Sequence, residues 1–127
     1  MKILLDTHAF LWAIGEHGLN PVAEQAFMDT ENELYLSAAS YWEMCIKIGL
    51  GKLNIVPNWQ ARFEYEMVIN QIHWLPIAQT HCQQITTLPK HHGDPFDRML
   101  IAQALVEEMT LMTADTKIQQ YAVPTLW

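Results

Sequence analysis

Basic residues are scarce in this chain: seven Lys and Arg stand against fourteen Asp and Glu in 127 residues, a formal net charge of −7. That excludes a protein that grips nucleic acid by a broad basic surface. A nucleic-acid substrate would need the charge offset by a bound divalent cation or by a basic protein partner. Cysteine is nearly absent. Cys45 and Cys82 have neither CxxC spacing nor a paired Cys and His pattern, which leaves a reduced, cytoplasmic protein as the reading and Cys45 as a core residue. Long apolar runs are missing too. The opening MKILLDTHAFLW is interrupted by Asp6, so neither a signal peptide nor a membrane span is expected. The six His are scattered, and His91 and His92 would point apart in a strand or a helix, which argues against a zinc site. Internal repeats, linkers and low-complexity segments are also lacking.

What is present is enough apolar material for a core. Half of the chain is hydrophobic, so one folding unit over residues 1–127 is expected without metal or disulfide staples. KILLD reads as a short buried strand that ends in an acid and enters the helix AFLWAI. Asn20 and Pro21 read as the N-cap and first residue of a helix to about Thr30. ELYLSAA is a second strand. Ser37 or Ser40 caps the next helix, with Trp42, Cys45, Ile46 and Ile48 on its apolar side, Glu43 in its first turn, and Gly49 and Gly51 at its stop. Pro57 opens a helix to about His73, and WLPIA is a third strand. AQTHCQQITTL is a helix ended by Pro89, and KHHGD is a loop. Asp94, Pro95 and Asp97 open a helix to about Glu108. TLMTAD is a strand ending in an acid, DTKIQQY a short helix and VPTLW a last strand. The alternation implies right-handed crossovers and a mainly parallel sheet covered on both faces, with its site beyond the strands' carboxyl ends.

Four acids should gather at that edge: Asp6, Glu43, Asp97 and Asp115. Crowded carboxylates raise one another's pKa, so such a cluster is stable at neutral pH mainly when a hard dication shares its oxygens. Mg2+ or Mn2+ is the natural choice. The ion can lower the pKa of a water, orient it for in-line attack on a phosphodiester and neutralise charge on the leaving oxygen, with no side-chain nucleophile.

Taken in order, LLDTHAFLW, SAASYWEMCIKIGLGKL, HHGDPFDRMLIAQA and LMTAD resemble the PIN-domain ribonuclease toxins of type II toxin-antitoxin pairs, the VapC-like group. The resemblance covers nearly the whole chain, and DPFDR followed by LIAQA is its most specific part. It implies a three-layer α/β/α sandwich around a parallel sheet, cleavage of RNA through a metal-activated water, a homodimer, and inhibition by a cognate antitoxin. The family's four metal-binding acids fall on Asp6, Glu43, Asp97 and Asp115.

Plainer readings stand beside these. Asp6 could only terminate a strand, and Glu43 could only pair with Lys47 one turn on. Asp94 before Pro95 is explained by capping alone, a contribution of about 1 kcal/mol. Asp97 could complement the helix dipole, and Asp115 could cap the short helix DTKIQQY. Thr7 and Thr113 could bond carboxylate or phosphate oxygens or be filler, and Arg98 could reach a phosphate or pair with Asp94. Trp59, Phe63 and Met67 read as core or as a partner contact. An aspartyl-phosphate hydrolase would need a second Asp two residues after Asp6, where His8 stands. A PIN-fold protein-binding module without activity, and a DNA-directed nuclease, remain the alternatives.

Overall fold

In the computed structural model, which describes residues 1–15 and 18–127, every strand of one five-stranded sheet is parallel to its neighbours. The strands are β1 (Lys2–Leu5), β2 (Glu33–Ser37), β3 (Ile72–Leu75), β4 (Thr110–Met112) and β5 (Thr125–Leu126). They lie in the order β3-β2-β1-β4-β5. The helices are α1 (Thr7–Ile14), α2 (Pro21–Met28), α3 (Ala38–Gly49), α4 (Trp59–Ile69), α5 (Gln79–Ile85) and α6 (Pro95–Glu107). The chain walks outward from β1 to β3 and then returns across β1 to β4. Reversing the walk puts its crossover on the opposite face, because parallel connections keep one hand.

The packing obeys that reversal. Successive residues of β1 point to opposite faces. Ile3 and Leu5 join Phe10, Phe27, Met44, Phe63 and Met67 in one apolar cluster, while Leu4 joins Leu100, Ile101, Leu111 and Ile118 in another. The sheet is thus the middle of three layers, with α1 to α4 contributing to the first cluster and α6 to the second.

Several elements differ from the sequence reading. Of the two candidate caps Ser37 is the one used, its Oγ accepting the Ala39 N–H at 3.0 Å, so β2 ends there instead of at Ala39 and Glu43 lies in the second turn of α3. The buried side of α3 is Ala39, Ser40 and Met44, whereas Trp42 and Ile46 are 60 % and 38 % exposed. The helix ends at Gly49 as read, and just beyond the Leu50 cap Gly51 has a φ of 71° that glycine adopts without strain. Pro57 lies before α4 rather than inside it, and α4 stops at Ile69. There Asn70 Nδ2 bonds the Glu66 carbonyl at 2.9 Å and Gln71 turns to a φ of 54°. Ile69 and Ile72 are three apart, the spacing of a continuing helix, which hides the start of β3. The segment read as DTKIQQY forms only a 3-10 turn at Ile118–Gln120. Phe63 and Met67 are core, as one of the two readings has it, and Cys45 is half-buried.

Candidate active site

The chain leaves β1 and β4 at the sheet's point of reversal, the place where open parallel sheets form a crevice. Asp6 comes directly after β1 and caps α1, its Oδ1 accepting the Ala9 N–H at 2.7 Å. Capping orients the carboxylate and leaves its second oxygen for other partners. The residue is 6 % exposed. Burial raises its pKa from the usual carboxylate value, opposed by the Thr113 hydroxyl and the Ala9 N–H. Thr113, buried after β4, also accepts the backbone N–H of Asp115 at 3.0 Å. Asp115 in turn accepts from Lys117 N at 2.9 Å, closing a turn.

Two helices complete the pocket. From α3, Glu43 receives the Thr7 hydroxyl on Oε1 at 2.7 Å, while its Oε2 lies 3.2 Å from Lys47 Nζ. The Lys47 pair and the site position are therefore compatible. At the start of α6, Asp94 Oδ1 accepts from Phe96 N at 2.9 Å and Asp97 N at 3.1 Å. Asp97, in the first turn, has its carboxyl pushed up to about 6 by burial first and by the neighbouring Asp94 second. Together Asp6, Thr7, His8, Glu43, Lys47, Asp94, Asp97 and Asp115 line one cavity of about 130 Å³. The structure brings the four sequence-predicted acids together and adds Asp94, which is both cap and wall.

Arg98 is elsewhere. It does not pair with Asp94: its Nη1 donates to the Pro89 carbonyl at 2.9 Å and to Tyr121 Oη at 3.1 Å. The guanidinium turns back to satisfy carbonyls after α5, where its fork has several acceptors. Tyr121 links it to the pocket. Having accepted a hydrogen bond from Arg98, the phenol can donate its own to His92 Nδ1, 2.9 Å away and closer than the His92 carbonyl at 3.4 Å. That leaves the imidazole proton on Nε2, which faces Asp97 Oδ2 at 3.4 Å. His91 stands edge-on to the same phenol ring, at 4.8 Å, so the two histidines converge on Tyr121 instead of pointing apart. They lie in a loop, where the strand and helix expectations do not apply. Sequence reasoning misses His92 and Tyr121, which are 29 residues apart and share no motif.

The donor set fits a hard dication. Every acid offers oxygen, and the raised Asp6 and Asp97 are what uncompensated negative charge and burial produce. Among the described residues no group of three His, Cys, Asp or Glu side chains is arranged to hold a metal ion directly. Mg2+ tolerates this, since it keeps several waters and takes only one or two carboxylates directly.

A parallel sheet between helical layers, with a carboxylate pocket where its strand order reverses, defines the three-layer α/β proteins whose site is built from acids at the carboxyl edge. Within that class the chain belongs to the PIN-domain family, whose model matches residues 3–124. It is 26 % identical to the ribonuclease VapC22 of Mycobacterium tuberculosis, an alignment covering 98 % of both chains. The fold is similar to that in VapBC2 from Rickettsia felis bound to a promoter DNA fragment, at a TM-score of 0.74 and 15 % identity over 98 % of this chain and 97 % of that one. FitAcB from Neisseria gonorrhoeae gives a TM-score of 0.66 at 21 % identity, over 97 % of this chain and 95 % of that one. No helix among the described residues is long and apolar enough to cross a membrane.

Proposed function

We propose that the chain is a divalent-metal-dependent endoribonuclease and the toxin of a toxin-antitoxin pair. The observation that carries this reading is the convergence of Asp6, Glu43, Asp97 and Asp115 in one small cavity of a PIN fold. The similarity to a protein named a ribonuclease supports RNA as substrate. Mg2+ or Mn2+ would be held by these acids, directly or through water, and supplies the Lewis acid that acidifies an attacking water and offsets charge on the leaving oxygen. Asp6 is fixed by its cap and Glu43 by Thr7, so both present oxygens without a search of rotamers. Lys47 neutralises part of Glu43 and lines the same cavity.

A basic antitoxin fits the same pocket, because a guanidinium can satisfy carboxylates that otherwise need a cation. Beside the pocket lies an apolar cavity of about 400 Å³, lined by His8, Leu11, Trp12, Ile55 and Phe63 among others, which we assign to the apolar side of that partner. A homodimer is assigned to the exposed stripe of α3.

Digestion of RNA and DNA panels, with Mg2+, with Mn2+ and with chelator, tests the proposal. Cleavage of RNA that chelator stops, and that Asp6→Asn or Asp97→Asn abolishes in a folded protein, is expected. Wild-type rates in either folded variant would sink the site, and cleavage of DNA alone would replace the substrate.

A further inference from the structure

We infer that the hollow between α1 and the Ala114–Asp115 turn is a nucleobase subsite, which seats the base next to the phosphodiester being cut. The inference rests on the ribonuclease reading above. The hollow holds about 270 Å³ and is lined by Asp6, His8, Trp12, Ala114 and Asp115. Asp6, His8 and Asp115 also line the acid cavity, so a group seated in one hollow lies beside whatever occupies the other.

One wall is aromatic. His8 and Trp12 are one turn apart on α1 with ring centroids 5.9 Å apart, and Trp127 lies 5.3 Å from Trp12. Trp12 is half-buried, braced by Trp127 yet lining the hollow. A ring held in this way is ordered before it meets a ligand, so stacking on it costs little further freedom.

Charge excludes the usual grip on RNA. Among the described residues Lys47 is the only Lys or Arg lining either hollow, and it already lies 3.2 Å from Glu43. Phosphate contacts therefore cannot supply most of the affinity at this edge of an acidic protein. Base-on-aromatic stacking can, since every base has a π-face, and it changes affinity by about 5- to 150-fold per base. A base inside an A-form duplex is already stacked on its neighbours, so the subsite takes a base from a single strand or loop.

The test is cleavage of a short single-stranded RNA cut at one position, compared with RNAs carrying an abasic ribose on one or the other side of the cut. With wild-type protein, one abasic substitution should raise KM by about 5- to 150-fold and leave kcat nearly unchanged, as loss of uniform binding does. Trp12→Ala should raise KM for intact RNA by the same factor, and the abasic substitution should then add nothing. Trp12→Phe, which keeps a stacking ring and is less disturbing to the fold, should recover most of the loss. Equal KM values for intact and abasic RNA with wild-type protein would overturn the subsite. So would additive effects in Trp12→Ala, or an unchanged KM in a variant that loses only its antitoxin. Absence of any chelator-sensitive cleavage by wild type would sink the ribonuclease reading and the subsite with it.

Discussion

In the proposed site Asp97 is caught between two demands, since binding a cation would need its carboxylate ionised while burial and Asp94 favour the proton. Its value of about 6 in the fold lies above the 3.8 of an ordinary aspartate. Between those two values the folded chain holds a proton that the unfolded chain has lost, so this group makes metal-free stability fall as pH rises from about 4 to about 6. Burial shifts Asp6 in the same direction. Melting in chelator should show Asp97→Asn gaining on wild type across that window and melting higher at pH 7, while Mn2+ raises wild type more than the variant. A variant that melts lower at every pH, with wild type indifferent to Mn2+, would make Asp97 a mere helix-dipole partner. The chain from Arg98 through Tyr121 to His92 opposes the proton, because an imidazole N–H facing Asp97 stabilises the charged carboxylate. Tyr121→Phe removes the hydroxyl that fixes this tautomer. It should weaken metal response or turnover by about 10- to 100-fold while the melting temperature in chelator barely moves. A lower melting temperature with an unchanged half-saturating Mn2+ concentration would show that the phenol only supports the fold. None of this network is legible in the sequence, because side-chain bonds between distant loops leave no periodicity.

At the scale of elements, α3 serves two surfaces. Its buried side carries Met44 into the core, and its second turn delivers Glu43 to the pocket. Trp42, Ile46 and Leu50, spaced by four, form an exposed apolar line, with Trp42 also edge-on to Phe96 at 5.2 Å. If this line joins two copies, Ile46→Glu should turn a dimer into a monomer in light scattering, because a carboxylate there would be desolvated without a partner. A monomeric wild type, or a dimeric variant, would remove the assignment. Spacing alone puts Trp42 and Ile46 inward, since an amphipathic pattern shows that an apolar side exists but not whether a sheet or a second molecule covers it. The strands are easier to read: an apolar run ending in an acid marks β1, and the caps Asn20, Ser37 and Asp94 mark where helices begin. The boundary between α4 and β3 is lost because Ile69 and Ile72 suit either period.

For the molecule as a whole, the excess of acid is less of a puzzle than it is in the bare sequence, because five of the fourteen acids line one pocket, which the proposed function gives a cation to share. The strand order makes that pocket non-local. Asp6 and Asp115 are 109 residues apart, and β1 cannot pair with β4 until residues 110–112 exist. A ribosome adding roughly 5 to 20 residues per second therefore needs on the order of 5 to 20 s after making the first acid to make the last. Throughout that interval the emerging chain lacks Asp115 and the β4 strand that places it beside Asp6. On the proposed function, the ribosome and message producing the chain are spared until Asp115 has been made, which leaves time for an inhibitor made alongside to be folded and waiting.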